Sequence, residues 1–143
     1  MSLNCNEINL ILKELDLTDN YIQDIIQPSY DVIVFHVYKK GTPKTILICT
    51  AQKPVRINET KRKITKNNKP LRFMEFLKSH IKGCRIGSCE QIGLERVIKM
   101  ILYRQNPDNL EDNIIFNLYI KLWNNAANII LCDKNDLILE TMF

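Results

Sequence analysis

An acidic residue and an arginine stand side by side at Glu95 and Arg96, in the stretch QIGLERVIKM that spans residues 91–100. The planar guanidinium of arginine can hold a phosphate or a base edge through two hydrogen bonds. A neighbouring carboxylate can orient that guanidinium or accept a hydrogen bond from an RNA hydroxyl. The simpler interpretation is a solvated or paired charge at the rim of the fold, and the residues alone favour it.

The secondary structure of this stretch decides how unusual the pair is. Read as a helix, the stretch has a clear apolar stripe and leaves both charges solvated outside it. Read as a strand, it places Arg96 in one row with four apolar side chains, namely Leu94, Ile98, Met100 and Leu102. Periodicity alone favours the helix, in which the pair is ordinary.

A second candidate for binding is the basic segment from Lys61 to Arg72, which has six basic residues and no acidic one. The whole chain has 20 Lys and Arg against 16 Asp and Glu, and without this segment the balance is 14 against 16. The candidate contacts to RNA phosphates are Lys61, Arg62, Lys63 and Lys66. A solvated connector is an equally good interpretation, because most charge runs are solvated.

The sequence contains no constellation that is typical of an enzyme or a metal site. Cys84 and Cys89 are the closest of the five cysteines, and their spacing is not that of a common zinc knuckle. We interpret the thiols as reduced, His36 as a sheet residue, His80 as a cap near a helix end, and Trp123 as a core anchor. There is no Ser-His-Asp order, P-loop or paired metal ligand, so we expect no cofactor, no metal and no catalysis.

Length and composition indicate one globular domain. The 143 residues are 45% hydrophobic and 25% charged, which suffices for a core and does not suggest disorder. The N-terminus has no basic region followed by an apolar one, so we expect no signal peptide. The longest apolar runs are too short to cross a bilayer, and we therefore expect a cytoplasmic protein without a membrane contact.

Apolar periodicity and turn residues predict two helices and many strands. The helices cover residues 5–16 and the segment from Pro70 to Gly83. Strand patterns cover residues 31–40, 44–51, 114–123, 128–133 and 137–142, with turns predicted at 39–43, 105–113 and 133–136. Since local βαβ alternation is absent, the pattern favours an α+β domain with a mostly antiparallel sheet.

Five features in chain order carry a resemblance to a known family. They are Gln27-Pro28, Arg56-Ile57-x-x-Thr60, the helix with Phe73 and Leu77, Gln91-x-Gly93-Leu94-Glu95-Arg96, and Asn128-Ile129-Ile130-Leu131-x-Asp133. This ordered set is similar to the N-terminal domain of the NFACT family, also called fibronectin-binding protein A. The resemblance covers almost the whole chain. Family members continue into a helix-hairpin-helix segment, a coiled coil and a second globular domain, so we expect residues 1–143 to be a single domain excised from a longer protein.

The resemblance has implications for the fold and the site. It implies that 94–104 is a strand, and that the fold is a two-sheet β-sandwich with two helices, similar to the N-terminal domain of formamidopyrimidine-DNA glycosylases. It also implies that Glu95, Arg96 and Glu7 face tRNA, because the family carries an Asp-Arg pair and an acid in the first helix at these positions. Both acids are Glu here. Glycosylase activity is not expected, since those enzymes begin with a proline and this sequence begins Met1-Ser2.

The function that the resemblance implies is that of a non-catalytic domain in ribosome-associated quality control. Such a domain binds obstructed large ribosomal subunits and tRNA, and supports the untemplated tailing of stalled nascent chains. Its expected partners are the large subunit, tRNA and the coiled coil and C-terminal domain of its own chain. The alternative is an adhesin-like module that binds fibronectin, as the older family name implies.

Overall fold

The computed structural model describes residues 3–52, 54–67 and 69–143. These residues form two helices and nine strands. In chain order they are α1 (Cys5–Leu15), β1 (Tyr21–Ser29), β2 (Val32–Lys39), β3 (Thr42–Cys49), β4 (Arg56–Glu59), α2 (Arg72–Ile81), β5 (Arg85–Gln91), β6 (Val97–Asn106), β7 (Asn109–Lys121), β8 (Asn128–Asp133) and β9 (Ile138–Thr141). The predicted α+β class with two helices and a mostly antiparallel sheet is confirmed.

Hydrogen bonding joins all nine strands into one antiparallel sheet, in the order β4-β3-β2-β1-β5-β6-β7-β8-β9. The junction between β1 and β5 consists of one residue pair, Tyr21 with Arg85. The predicted two-sheet β-sandwich is not confirmed, because this pair keeps the two groups of strands continuous in one sheet. The similarity to glycosylase N-terminal domains stays a prediction.

One apolar core takes side chains from both groups of strands and from both helices. Helix α1 contacts β4 and β5, whereas α2 contacts β1 and β9, so each helix bridges the two groups. The buried residues of the helices lie at helical spacing: Ile8 and Leu15 in α1, and Phe73, Leu77 and Ile81 in α2. Burial of these stripes stabilises helices of only 11 and 10 residues, which are marginal in isolation.

The turns agree with the sequence prediction in two places and differ in one. Lys40 and Gly41 connect β2 to β3 with φ of 49° and 83°, as a two-residue turn between twisted strands requires. The turn at Asp133–Asp136 is also confirmed. The polar turn predicted at 105–113 is wrong, because β6 and β7 stay paired and turn only at residues 107–108. These strands run beyond the core, where both faces are solvated and polar residues cost nothing.

Both histidines have the predicted structural roles. His36 lies in β2 and its Nδ1 is 3.2 Å from the Thr45 hydroxyl. His80 lies in the last turn of α2, and its Nδ1 is 2.9 Å from the carbonyl oxygen of Phe76. All five cysteines are free thiols. Within the described ranges, no helix is long and apolar enough to span a membrane.

Candidate nucleic-acid interface

The acid–arginine pair lies in the turn between β5 and β6, which we call the 92–96 turn. The Ile92 N–H donates to the Val97 carbonyl at 2.8 Å, and the Glu95 N–H donates to the Ile92 carbonyl at 3.2 Å. Gly93 and Arg96 have φ of 51° and 57°, which lets the chain reverse within five residues. Glycine adopts this conformation freely, whereas for arginine it costs roughly 1–2 kcal/mol.

Three successive backbone carbonyls of this turn accept hydrogen bonds from other parts of the fold. The Cys5 thiol at the start of α1 donates to the Leu94 oxygen at 2.8 Å. The Trp123 indole N–H donates to the Glu95 oxygen at 2.7 Å. The Leu122 N–H donates to the Arg96 oxygen at 2.9 Å. The turn is therefore held from two sides, by α1 and by the chain that follows β7, which explains how Arg96 is kept in a strained conformation.

The side chains of Glu95 and Arg96 make no hydrogen bond or ion pair with any residue that the structure describes. Glu95 is exposed and Arg96 is half-buried. Leu94, beside them, is 76% exposed. The backbone of this turn is thus fixed while its charged groups keep their hydrogen-bonding capacity, which is the arrangement that a preformed binding site requires.

The expected strand at 94–104 is confirmed from Val97 onward and wrong for residues 94–96. Helix formation is excluded because Ile98 pairs with Gln91 on one side and Ile120 on the other. Arg96 does not interrupt an apolar strand row, since it precedes the strand and only Ile98, Met100 and Leu102 form the buried row. The left-handed residues Gly93 and Arg96 end the extended conformation before β6 begins.

Glu7 has a structural partner in α1. Its carboxylate accepts from the Asn4 N–H at 3.2 Å, and the Asn4 side chain accepts from the Glu7 N–H at 2.9 Å. This reciprocal pair is a capping box, which satisfies two backbone donors at the helix start. The structure brings this helix start and the 92–96 turn together, because Cys5 binds Leu94 and the Gln91 amide donates to the Cys5 carbonyl at 2.9 Å.

Three residues that sequence reasoning missed or misassigned cluster around the chain that follows β7, and one of them, Trp123, contacts the 92–96 turn. Trp123 is half-buried just beyond β7 and is not part of the core, so its interpretation as a core anchor is wrong. The Lys121 ammonium lies 4.7 Å from the centre of the Trp123 ring, a cation–π contact. The Gln52 amide donates to the Asn125 side chain at 2.7 Å. Only the isolated tryptophan could have signalled this cluster from sequence.

An open cleft of about 490 Å³ lies next to this cluster. Its lining is mostly polar and consists of Thr50, Gln52, Lys121, Asn124, Asn125, Ala126, Ala127, Asn128 and Phe143. In the part of the chain that the structure describes, no group of three or more His, Cys, Asp or Glu side chains could hold a metal ion. The chemistry available around the 92–96 turn is therefore hydrogen bonding, charge and one aromatic ring.

Intramolecular ion pairs engage part of the basic segment. Lys61 pairs with Glu59 at 2.6 Å, and Lys66 lies 3.8 Å from Asp24. Arg62 and Lys63 are exposed and form no ion pair with another described residue. The segment is attached near the end of β1, where the Asn67 amide lies 3.4 Å from the Pro28 carbonyl. No hydrogen bond or ion pair among the described residues links it to the 92–96 turn, so the predicted site residues fall into two separate surfaces.

The fold and this turn define the class of protein: an α+β domain in which two helices bridge a large antiparallel sheet and a fixed turn carries an acid–arginine pair. A model of the family described as NFACT N-terminal and middle domains matches residues 7–142. The chain therefore belongs to this family, and the resemblance drawn from its motifs is confirmed.

Curated relatives and solved structures agree with this assignment. The Rqc2 homolog RqcH of Bacillus subtilis is 30% identical over 112 residues, which cover 78% of this chain and 19% of the relative. The Rqc2 homolog RqcH of Streptococcus pneumoniae is 27% identical over 127 residues, covering 87% of this chain and 23% of the relative. The chain thus spans about a fifth of the length of these curated relatives.

Two solved structures share the fold along almost the whole chain. The N-terminal part of the fibronectin/fibrinogen-binding protein of Streptococcus suis superposes with a TM-score of 0.92 at 23% identity, covering 99% of this chain and 54% of that one. The N-terminal domain of the fibronectin-binding protein PavA of Streptococcus pneumoniae superposes with a TM-score of 0.89 at 25% identity, covering 98% and 53%. The first likeness shows the fold alone.

Proposed function

We propose that this domain acts in ribosome-associated quality control, where it binds tRNA and obstructed large ribosomal subunits and supports untemplated tailing of stalled nascent chains. Membership of the NFACT family and similarity to Rqc2 homologues support the proposal. In this proposal the domain is a non-catalytic, cytoplasmic part of a longer chain that continues into a coiled coil and a C-terminal domain.

The observation that carries the tRNA contact is the 92–96 turn, whose backbone is fixed and whose charged side chains pair with no described residue. The fixed backbone of the turn limits the conformational freedom that Arg96 loses on binding to that of its side chain, so more of the interaction energy appears as affinity. Arg96 can hold a phosphate or base edge with two hydrogen bonds, and Glu95 can accept from a ribose hydroxyl or a base amine. Glu7, at the adjoining start of α1, completes the acidic side of the proposed site.

The test is the binding of an unmodified tRNA transcript by the wild-type chain and by Arg96 variants. Arg96→Ala removes the guanidinium and is expected to cost about 1–3 kcal/mol of binding free energy. Arg96→Gly removes the same group but relieves the strained φ, so it separates loss of contact from loss of turn geometry. Arg96→Lys should restore binding only in part, because an ammonium lacks the planar fork.

Lys134→Ala is the matched control, since Lys134 is an exposed cation in the β8–β9 turn, outside both proposed surfaces. Thermal unfolding is followed for every variant. Equal losses for Arg96→Ala and Arg96→Gly, at unchanged stability of the glycine variant, support a direct contact. If tRNA affinity falls only in variants that also unfold at lower temperature, Arg96 is structural and this site assignment fails.

The second candidate function is fibronectin binding, because the solved structures that share the fold carry that description. The two candidates differ in the partner that the chain retains. Co-sedimentation with purified large ribosomal subunits supports the first candidate, and retention on immobilised fibronectin with no ribosomal association supports the second. Arg96→Ala should leave fibronectin retention unchanged under either outcome, because that interaction does not need a phosphate contact.

A further inference from the structure

Three lysine ammonium groups converge on the carboxylate of Asp24, in the middle of β1. Lys78 and Lys82 of the α2 region lie 3.4 and 3.8 Å from its Oδ1, and Lys66 of the basic segment lies 3.8 Å from its Oδ2. No other carboxylate of a described residue lies within 4.0 Å of these ammonium groups. We call this group the Asp24 lysine cluster. It is formed by three segments that are distant in sequence.

The local sequence accounts for the approach of the three cations. Lys78 lies in the last turn of α2 and Lys82 is the residue that caps its C-terminus, so the two ammonium groups approach the same carboxylate and repel each other. They also lie at the C-terminal end of the helix, where the backbone carbonyls favour positive charge. Among the described residues, Asp24 supplies the only carboxylate within 4.0 Å, and the basic segment brings Lys66 to its other oxygen.

The cluster keeps a positive excess at neutral pH. Burial raises the pKa of Asp24. The hydrogen bond from the Ile25 N–H and the charges of Lys78 and Lys82 lower the pKa, and their combined effect is larger, so the pKa lies below its ordinary value. Three ammonium groups against one carboxylate leave an excess of two positive charges. The lysine side chains are 69%, 31% and 51% exposed for Lys66, Lys78 and Lys82, so a ligand can reach all three.

We propose that the Asp24 lysine cluster is a second nucleic-acid contact, which binds the phosphodiester backbone of structured RNA on the α2 side of the domain. The choice of RNA as the anion rests on the proposed function. Lysine binds phosphate as a point charge without a strict geometry, which suits a backbone contact that carries no sequence information. Asp24 is the positioning residue: it holds mutually repelling lysines in one place without neutralising them.

The cluster also changes the interpretation of the basic segment. Among the candidate residues of the basic segment, Lys66 shares the Asp24 carboxylate with the two lysines at the end of α2. Lys61 is instead paired with Glu59. The charge that the segment contributes to a shared surface therefore comes through Lys66. The sequence could not reveal this surface, because the apolar periodicity of α2 predicts only which of its residues are buried. It does not predict which segment the lysines at its C-terminal end will contact.

The experiment compares two double variants that remove the same charge. Lys78→Gln with Lys82→Gln removes two cations of the cluster, and Lys13→Gln with Lys134→Gln removes two exposed cations outside it. Binding of an unmodified tRNA transcript is measured over a series of KCl concentrations. Each phosphate contact adds about 0.7–0.9 to the slope of log K against log salt, so the cluster variant should lose about 1.4–1.8 and the control variant close to zero.

Further variants and a second probe make the outcome decisive. Lys78→Arg with Lys82→Arg keeps the charge and should keep the slope, and thermal unfolding of the Gln variant shows directly whether that variant is still folded. The cluster proposal is overturned if the two Gln variants have the same slope, or if polyglutamate binding depends on Lys78 and Lys82 as strongly as tRNA binding does. Failure of the wild-type chain to bind tRNA overturns the proposed function instead, so the two failures are distinguishable.

Discussion

Trp123→Phe tests whether a hydrogen bond from outside the 92–96 turn holds that turn in place. The substitution keeps an aromatic ring and removes the indole N–H that donates to the Glu95 carbonyl at 2.7 Å. A hydrogen bond of this kind contributes about 0.5–1.5 kcal/mol net to stability. Phenylalanine also offers a weaker surface to the Lys121 ammonium, whose cation–π contact is worth about 0.5–1 kcal/mol at an exposed site. We therefore expect a total loss of about 1–2 kcal/mol in the free energy of unfolding.

For a chain of 143 residues this loss corresponds to a fall in Tm of roughly 3–8 °C. The effect on tRNA binding should be smaller, because the Leu122 N–H and the Cys5 thiol still hold the carbonyls of Arg96 and Leu94. If the lost bond is worth about 1 kcal/mol to the closed turn, the affinity for tRNA falls by no more than about fivefold.

The assays are thermal unfolding followed by circular dichroism and tRNA binding followed by filter retention. Tyr30→Phe is the matched control, because it removes from a 71% exposed residue a hydroxyl that makes no hydrogen bond with a described group, and it leaves the backbone bond from the Gln27 amide to the Tyr30 carbonyl in place. Trp123 is the single tryptophan of the chain, so its fluorescence in the wild-type protein also reports on the turn when tRNA is added. An unchanged Tm together with unchanged tRNA affinity in Trp123→Phe would refute the idea that this hydrogen bond holds the turn.

Three further predictions concern the basic segment, the start of α1 and the charge of Asp24. Arg62→Gln with Lys63→Gln should lower the salt slope of tRNA binding by about 1.4–1.8 if both contact phosphates, and an unchanged slope means that they are only solvated. Asn4→Ala should lower the free energy of unfolding, measured by urea titration, by about 1 kcal/mol, because the capping box with Glu7 is lost; an unchanged urea midpoint would contradict that role. Asp24→Asn should destabilise the protein at neutral pH, and the difference from wild type should vanish as the pH falls through the lowered pKa of Asp24. A difference that persists in acid would mean that the loss of stability does not come from the charge of Asp24.

The elements that sequence could predict are those in which local pattern and burial agree. The stripe of α2 follows from apolar residues at helical spacing, and the strands β2, β7 and β8 follow from β-branched and aromatic runs. Each of these elements buries apolar residues of its pattern. The stretch after Gly93 is different, since its apolar residues satisfy both periods. The pairing of Ile98 with Gln91 and Ile120 decides in favour of the strand over the helix. Such pairing depends on residues far away in sequence, so local periodicity cannot predict it.

The sequence could predict the charged residues of the candidate site but not the hydrogen bonds that hold the backbone of the turn. Glu95 and Arg96 were visible as an acid–arginine pair, yet the three donors that fix their backbone come from Cys5, Leu122 and Trp123. Two of those donors lie more than 25 positions away and one lies about 90 positions away in the chain. None has a sequence pattern of its own, because one hydrogen bond to a carbonyl does not require a particular residue type.

The capping box gives a physical reason for a glutamate at position 7. At the third position of a helix, a glutamate is long enough to reach back to the N–H of the capping residue, as Glu7 does to Asn4, and the shorter aspartate is not a member of this motif. A Glu at position 7 therefore gains helix stability from the same carboxylate that the proposed site would use. Glu95 has no such local partner among the described residues, so its extra methylene serves no helix cap. If the two acids act together on tRNA, Glu7 must leave or share its hydrogen bond with Asn4, and Glu95 is free to bind without that cost.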